Sequence, residues 1–278
     1  MAEPFIAVAL KWVDLRPEID PLSGAVHDDE RVFGTSAADQ AALEWALRLG
    51  EAWDRPVVAV TAGPRRAEQC VRDALAAGAA RALHIDLPAD AASDAVAGAI
   101  ADVVTDASLV LCGDWSVDRG SGSVPALIAA HLGVPQALGL VRLEIGDAPG
   151  RATVTRRLDH GRREVLAVDG TAVLSFEGAS AELRRAALSS VLAAKRAPVE
   201  QVAGVTGGDH RVRLIHRGPY RPRASARPAP SADLGPRERI LALTGALVDR
   251  TPPRTVVAEP AEAADLILDQ LRTWGYLD

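Results

Sequence analysis

Short apolar runs alternate with helical stretches through the first half of this chain, and that alternation limits its fold more than any single residue does. Residues 5–13 (FIAVALKWV) form a nearly continuous apolar run, as expected of a central parallel strand covered on both faces. After a loop rich in turn residues, residues 36–51 (SAADQAALEWALRLGE) place Ala41, Ala42, Trp45, Leu47 and Leu49 at helical spacing. Ser36 reads as the N-cap and Asp39 as its acidic partner three residues on. The unit recurs, with strands at 56–62, 82–85 and 108–112 and helices at 65–77, 91–104 and 123–132. This order predicts an α/β fold with a doubly wound, mostly parallel sheet, in which ligands bind at the carboxyl ends of the strands. Those ends carry residues 12–14, 62–64 and 113–123.

Beyond Pro135 the pattern changes. Residues 140–145, 153–158 and 164–168 read as antiparallel strands, with a hairpin turn at Asp159-His160-Gly161 whose glycine accepts positive φ. A further strand is expected at 171–176 and a helix at 181–195. The stretch 204–236 is rich in Gly, Pro, Arg and Ser and reads as a linker. The expected organisation is therefore a nucleotide-binding domain at 1–200, a linker at 201–236 and a C-terminal extension or docking arm at 237–278. Within the extension, residues 259–276 form a helix carrying Ala264, Leu266, Ile267, Leu271 and Trp274, an apolar stripe that must dock on its own core or on a partner.

Composition narrows the function. With 278 residues, 48% of them hydrophobic, the chain can bury a sizeable core. A formal charge of −6 argues against a nucleic-acid partner. No apolar run approaches the ~18 residues of a membrane span, and the N-terminus enters the first strand without a cationic leader, so no membrane insertion and a cytoplasmic location are expected. Cys70 and Cys112 fall in a predicted helix and strand and suit reduced core thiols. No histidine spacing suits a metal, and no GxSxG elbow is present for serine-based catalysis.

The segment most open to chemistry is 113–136, GDWSVDRGSGSVPALIAAHLGVPQ. A strand ends in a Gly/Ser loop and a helix begins near Ser123. Such a loop lets backbone N–H groups approach a phosphate, the hydroxyls of Ser121 and Ser123 can donate to it, and Arg119 can supply a compensating charge. An ordinary flexible loop with a serine cap reads equally well from the same residues. Neither GxxxxGK[ST] nor GxGxxG is present.

Taken together, several segments resemble the beta subunit of electron-transfer flavoproteins. They are Lys11-x-Val13-Asp14 at the first strand, Ser36-Ala-Ala-Asp39 with Ala42-Leu-Glu-x-Ala-Leu-x-Leu49, Gly63-Pro64, Ala74-Leu-Ala-x-Gly78-Ala79 with Ala82-x-His84, residues 118–136, and Val154-x-Arg156-x-Leu158-Asp159-x-Gly161-x-x-Glu164. The family usually carries Asn at the place of Ser36, Asn-Gln-Thr-Gly at the place of residues 122–125, and Gly at the place of His160. The resemblance implies an adenine-nucleotide alpha-hydrolase-like fold with an added antiparallel hairpin. It implies structural AMP, with adenosine near Ala9, Ser36, Asp39 and Ala62, and phosphate on the loop Asp118, Arg119, Gly120, Ser121, Gly122, Ser123 and Val124. It also implies FAD shared with an alpha subunit, dehydrogenase electron donors, no catalytic residues of its own, and a docking segment at Leu188 flanked by Arg184 and Arg185. The long C-terminal extension resembles that of the mycofactocin-associated variant. A stand-alone adenine-nucleotide sensor of the same layout is the alternative, and a nucleotide-dependent hydrolase or ligase ranks behind both.

Overall fold

The apolar run at the N-terminus folds as β1 (Phe5–Ala9), and its side chains alternate between two cores: Ile6 and Val8 face one, Ala7 and Ala9 the other. A computed structural model of the chain describes residues 4–204, 233–244, 256–273 and 276. The chain divides into two units, Met1–Tyr220 and Arg221–Asp278.

In the first unit β1 is followed by two small antiparallel ribbons. β2 (Trp12–Asp14) pairs with β5 (Phe33–Thr35), and β3 (Glu18–Ile19) pairs with β4 (Val26–His27). Then come α1 (Ala37–Trp53), β6 (Val57–Gly63), α2 (Glu68–Ala77), β7 (Arg81–Asp86), α3 (Ser93–Val103), β8 (Ala107–Gly113) and α4 (Ser123–Leu132). The chain continues through β9 (Gln136–Ile145), β10 (Arg151–Arg157), β11 (Arg163–Asp169), β12 (Ala172–Phe176), α5 (Leu188–Ala194) and β13 (Glu200–Ala203).

One nine-stranded sheet results, in the order β11-β10-β9-β12-β8-β1-β6-β7-β13. Every pairing from β9 to β13 in that order is parallel, and only β10 runs antiparallel to its two neighbours. Side chains of α1 and α2 bury against one face and those of α3 and α4 against the other, which is the doubly wound arrangement. Each fully buried Leu or Ile of these faces contributes roughly 1.5–3 kcal/mol of transfer free energy. The order of winding places β1 between β6 and β8, so the chain reverses direction across the sheet at β1. The crevice beyond β1 and β8 is the switch point where such folds take their ligands.

Three expectations need correction. The helix expected at 181–195 is confined to Leu188–Ala194, because the Arg184 backbone N–H is drawn to Glu44 Oε2 (3.1 Å) instead of to a helical carbonyl. The first residues of the expected linker are strand instead. Residues 200–203 are β13, laid on the open edge of β7, with Gln201 Oε1 2.8 Å from His84 Nδ1 and Arg81 paired with Glu200. The capping box expected at α1 is half formed. Ser36 Oγ accepts from the Asp39 N–H (3.2 Å), but the Asp39 carboxylate bonds elsewhere.

The hairpin turn at 159–161 has both His160 (φ 60°) and Gly161 (φ 73°) in the left-handed region, and Arg156 pairs with Glu164 directly opposite it. Cys70 and Cys112 are free, buried thiols, both pushed up by burial. No helix among the described residues is long and apolar enough to cross a membrane.

The second unit holds α6 (Pro236–Thr244) and α7 (Pro260–Thr273). Pro260 opens α7 at a position where a missing N–H costs nothing, and Glu262 and Arg272 complement its dipole. Leu266, Ile267 and Leu268 of α7 are exposed. The body of the expected linker, 205–232, and Trp274 lie outside the described residues.

Candidate functional site

Asp39 is the best-defined feature of the crevice. It lies in the first turn of α1, almost wholly buried, and its carboxylate spans the switch point. Oδ2 accepts from the Lys11 N–H just after β1, and Oδ1 from the Gly113 N–H at the end of β8, each at 3.2 Å. Only glycine fits at 113, since a Cβ there would stand 2.5 Å from Asp39 Oδ1. Burial pushes the Asp39 carboxyl up to about 7, against the opposing pull of the two amides, Ser36 and the Lys11 charge. Ala9 ends β1 beside Val60 and Cys112, and Ala62 lies near the end of the adjacent β6. The structure therefore gathers Ala9, Ser36, Asp39 and Ala62 around neighbouring strand ends, with Asp39 engaged by the protein's own backbone.

The loop after β8 closes the crevice. Gly120 (φ 62°) and Gly122 (φ 58°) are both left-handed, and a Cβ on Gly122 would meet the Asp114 carbonyl oxygen at 2.5 Å. Gly122 is also the N-cap of α4 and brings no side chain to cap it, while Ser121 Oγ accepts from the Ser123 N–H (3.4 Å). Pro125, third in the helix, has no N–H, so Ser123 and Val124 supply the backbone donors of the first turn. The hydroxyls of Ser121 and Ser123 lie 2.9 Å apart. Arg119 points elsewhere: its guanidinium donates to the carbonyls of Ala91 (2.7 Å) and Ala89 (3.4 Å) in the loop after β7.

The cation that does face this loop is Lys11, whose Nζ lies 2.6 Å from Asp118 Oδ2 and 3.4 Å from Ser116 Oγ. Burial raises the Asp118 carboxyl, but the hydrogen bonds from Lys11 and Ser116, the Lys11 charge and the Arg119 N–H together outweigh it and hold the group below its ordinary value. Asp114, also in the loop, is shifted upward by burial and by the Glu177 charge, and its buried Oδ1 has no hydrogen-bond partner among the described residues. The role of Lys11 was legible in principle, because it lies two residues past a central strand's carboxyl end.

The remaining sequence-predicted residues form a separate feature. Leu188 opens α5 and is 74% exposed, with Leu192 one turn on also exposed. Arg185 is exposed too. Arg184, by contrast, turns inward: it reaches both Glu44 (3.0 Å) and Glu51 on α1. At the other end of α5, Arg72 of α2 donates to the carbonyls of Ala194 (2.8 Å) and Ala197 (3.1 Å). Sequence reading missed Glu44 and Arg72, since an i,i+4 Glu–Arg pair on a helix looks like a solvated face.

Residues 25–205 match the family model of the electron transfer flavoprotein domain. The chain belongs to the electron-transfer flavoprotein family. Its relatives place it with the beta subunits: it is 31% identical over 205 residues to "Electron transfer flavoprotein subunit beta" of Syntrophomonas wolfei, covering 73% of this chain and 80% of that one. It is 31% identical over 173 residues to the subunit of the same name from Mycobacterium bovis, covering 58% and 63%. With the mitochondrial beta subunit of Arabidopsis thaliana it shares 32% over 169 residues, covering 59% and 66%. The family match starts inside the β3–β4 ribbon and ends just past β13. It thus covers α1, the glycine loop, the hairpin and the α5 segment of this electron-transfer flavoprotein, and leaves out α6 and α7.

Proposed function

We propose that this chain is the beta-type subunit of a two-chain electron carrier, that it holds AMP structurally at the switch point, and that with an alpha-type partner it encloses FAD. The observation that carries the nucleotide reading is the pairing of an α4 N-terminus capped only by glycine with a loop turned by two left-handed glycines. Backbone N–H groups and two serine hydroxyls suit a phosphate. Small side chains at Ala9 and Ala62 suit a flat base beside the strand ends.

The chain's own share of the work is binding and orientation. AMP would be gripped by the Asp118–Val124 loop and by the Ala9, Ser36, Asp39 and Ala62 strand ends, with Asp39 acting through the backbone it fastens. The flavin supplies the redox chemistry when bound, and this chain forms one wall of its cleft and contributes no catalytic side chain. Leu188, with Arg185 beside it, is the docking point for a donor dehydrogenase. Arg184 serves that docking from within, by fixing the approach to α5. A cytoplasmic setting suits the two free thiols.

Co-expression with an alpha-type flavoprotein subunit, purification through this chain, a visible spectrum and nucleotide extraction test the proposal. A yellow complex with FAD and AMP in near-equal amounts supports it. A colourless lone chain carrying exchangeable ATP overturns it in favour of a nucleotide sensor.

A further inference from the structure

We propose that Lys11 is the positioning residue of the nucleotide site, holding the phosphate loop against the end of β1 through its pair with Asp118. The inference rests on the nucleotide reading above and assigns the loop's geometry to a residue outside that reading.

Lys11 is gripped twice. Its backbone N–H is held from below by Asp39 (3.2 Å), and its ammonium is held from above by both oxygens of Asp118 (2.6 and 2.7 Å), with Ser116 Oγ at 3.4 Å. The residue therefore joins the two strand ends that border the switch point, one through its main chain and the other through its side chain. On the β1 side, the loop is tied by the Lys11 ammonium, while Arg119 ties its opposite flank. Gly120 and Gly122 have no side chains to pack, and a glycine-rich backbone loses the most conformational freedom on ordering. Within the loop, the Gly120 N–H donates to the Ser116 carbonyl (2.8 Å) and the Arg119 N–H to Asp118 Oδ1 (2.9 Å). The Lys11 ammonium thus contacts the first residue of the 116–120 turn and the carboxylate that braces it.

Arg119 is engaged by the Ala89 and Ala91 carbonyls on the far flank of the loop. Asp118 balances the Lys11 charge, so the pair shapes the loop instead of attracting anions by net charge. The ligand served is the phosphate of a 5′-mononucleotide, while the nucleoside rests against other residues.

The test is isothermal titration of the full chain with 5′-AMP and, separately, with adenosine. Lys11→Met and Asp118→Asn should each weaken AMP about fivefold, the upper range for a half-exposed ion pair, and leave adenosine unchanged. The double variant Lys11→Asp with Asp118→Lys keeps the pair's combined length and should recover most of the AMP affinity. Unchanged AMP binding in Lys11→Met, with the parent chain binding AMP, overturns the inference and leaves the nucleotide reading standing. Equal loss of AMP and adenosine with no recovery in the double variant also overturns it, since a merely structural pair behaves that way. A parent chain that binds neither ligand overturns the nucleotide reading, and this inference with it.

Discussion

Asp39 and Glu44 sit five residues apart on α1, both almost wholly buried, and their surroundings oppose one another. Asp39 is held by neutral groups, the backbone amides of Lys11 and Gly113, and burial drives its carboxyl up to about 7. Glu44 is held by two guanidinium groups, Arg48 at 2.7 Å and Arg184 at 3.0 Å. Burial pushes its carboxyl up, but these bonds pull it below its ordinary value. The comparison teaches that similar burial serves two ends. At the crevice, a carboxyl without a contacting cation keeps two strand ends together through their amides. Half a helix away, a fully paired one ties the approach to α5 onto the body of the protein.

The sharpest way to break the comparison is to neutralise each carboxylate with its amide. Glu44→Gln leaves Arg184 and Arg48 facing a neutral group in a poorly hydrated site, where loss of one partner of a buried pair is costly. Arg184 retains Glu51 and is about a third exposed, so the expected loss is about 2 kcal/mol. Asp39→Asn strands no contacting charge and gives up one amide hydrogen bond, a cost of about 1 kcal/mol that relief from ionising a buried carboxyl offsets at neutral pH, so little or no loss is expected. Denaturant midpoints at neutral pH measure both, and a larger loss at Asp39 than at Glu44 would reverse the assignment of roles.

The two groups also differ in the sign of their pH dependence. The folded-state pKa of Asp39 is raised from 3.8 to about 7, so its contribution to stability is fully present below about pH 4 and is lost as pH rises through 7. Glu44 is depressed below 4.5, so its contribution is present above that value and is lost as pH falls through the folded pKa. Asp39→Asn should therefore flatten the decline in stability between pH 4 and 7. One proton limits that slope to about 1.4 kcal/mol per pH unit. Urea midpoints across this range compare the variant with the parent, and identical curves would show that Asp39 does not titrate there.

These two residues also mark what the sequence could tell. The strands and helices of the parallel sheet were legible because a buried strand must be apolar on both faces and α1 must repeat its apolar residues at helical spacing. Ser36 as N-cap followed from local chemistry alone. The destination of the Asp39 carboxylate was not local: its partners lie 28 residues before and 74 residues after it. The carbonyl partners of Arg119 were out of local reach for the same reason, 28 and 30 residues away. The helix expected over 181–195 carried the right composition, but a contact 140 residues distant fixed Arg184 in an extended approach. The short strands β3, β4 and β13 have too few residues to show a period.

The smallest effect on stability belongs to Leu188, and there the comparison turns from the fold to its use. A leucine 74% exposed at the start of a seven-residue helix gives the folded state little, so Leu188→Ala should move the denaturant midpoint by no more than about 0.5 kcal/mol. Arg184 and Arg72 hold the two ends of this segment, so the surrounding backbone should keep its amide exchange rates in the variant. If Leu188 is the anchor of a docking surface, the same substitution should slow reduction of the assembled flavoprotein by its donor dehydrogenase, because truncating an anchor side chain weakens association far more than it weakens the fold. A fall in stability with unchanged reduction would mean that the leucine packs against its own chain. The outcome expected here is the reverse, a change in association without a change in the fold, which follows from an apolar side chain exposed on a segment tied down at both ends.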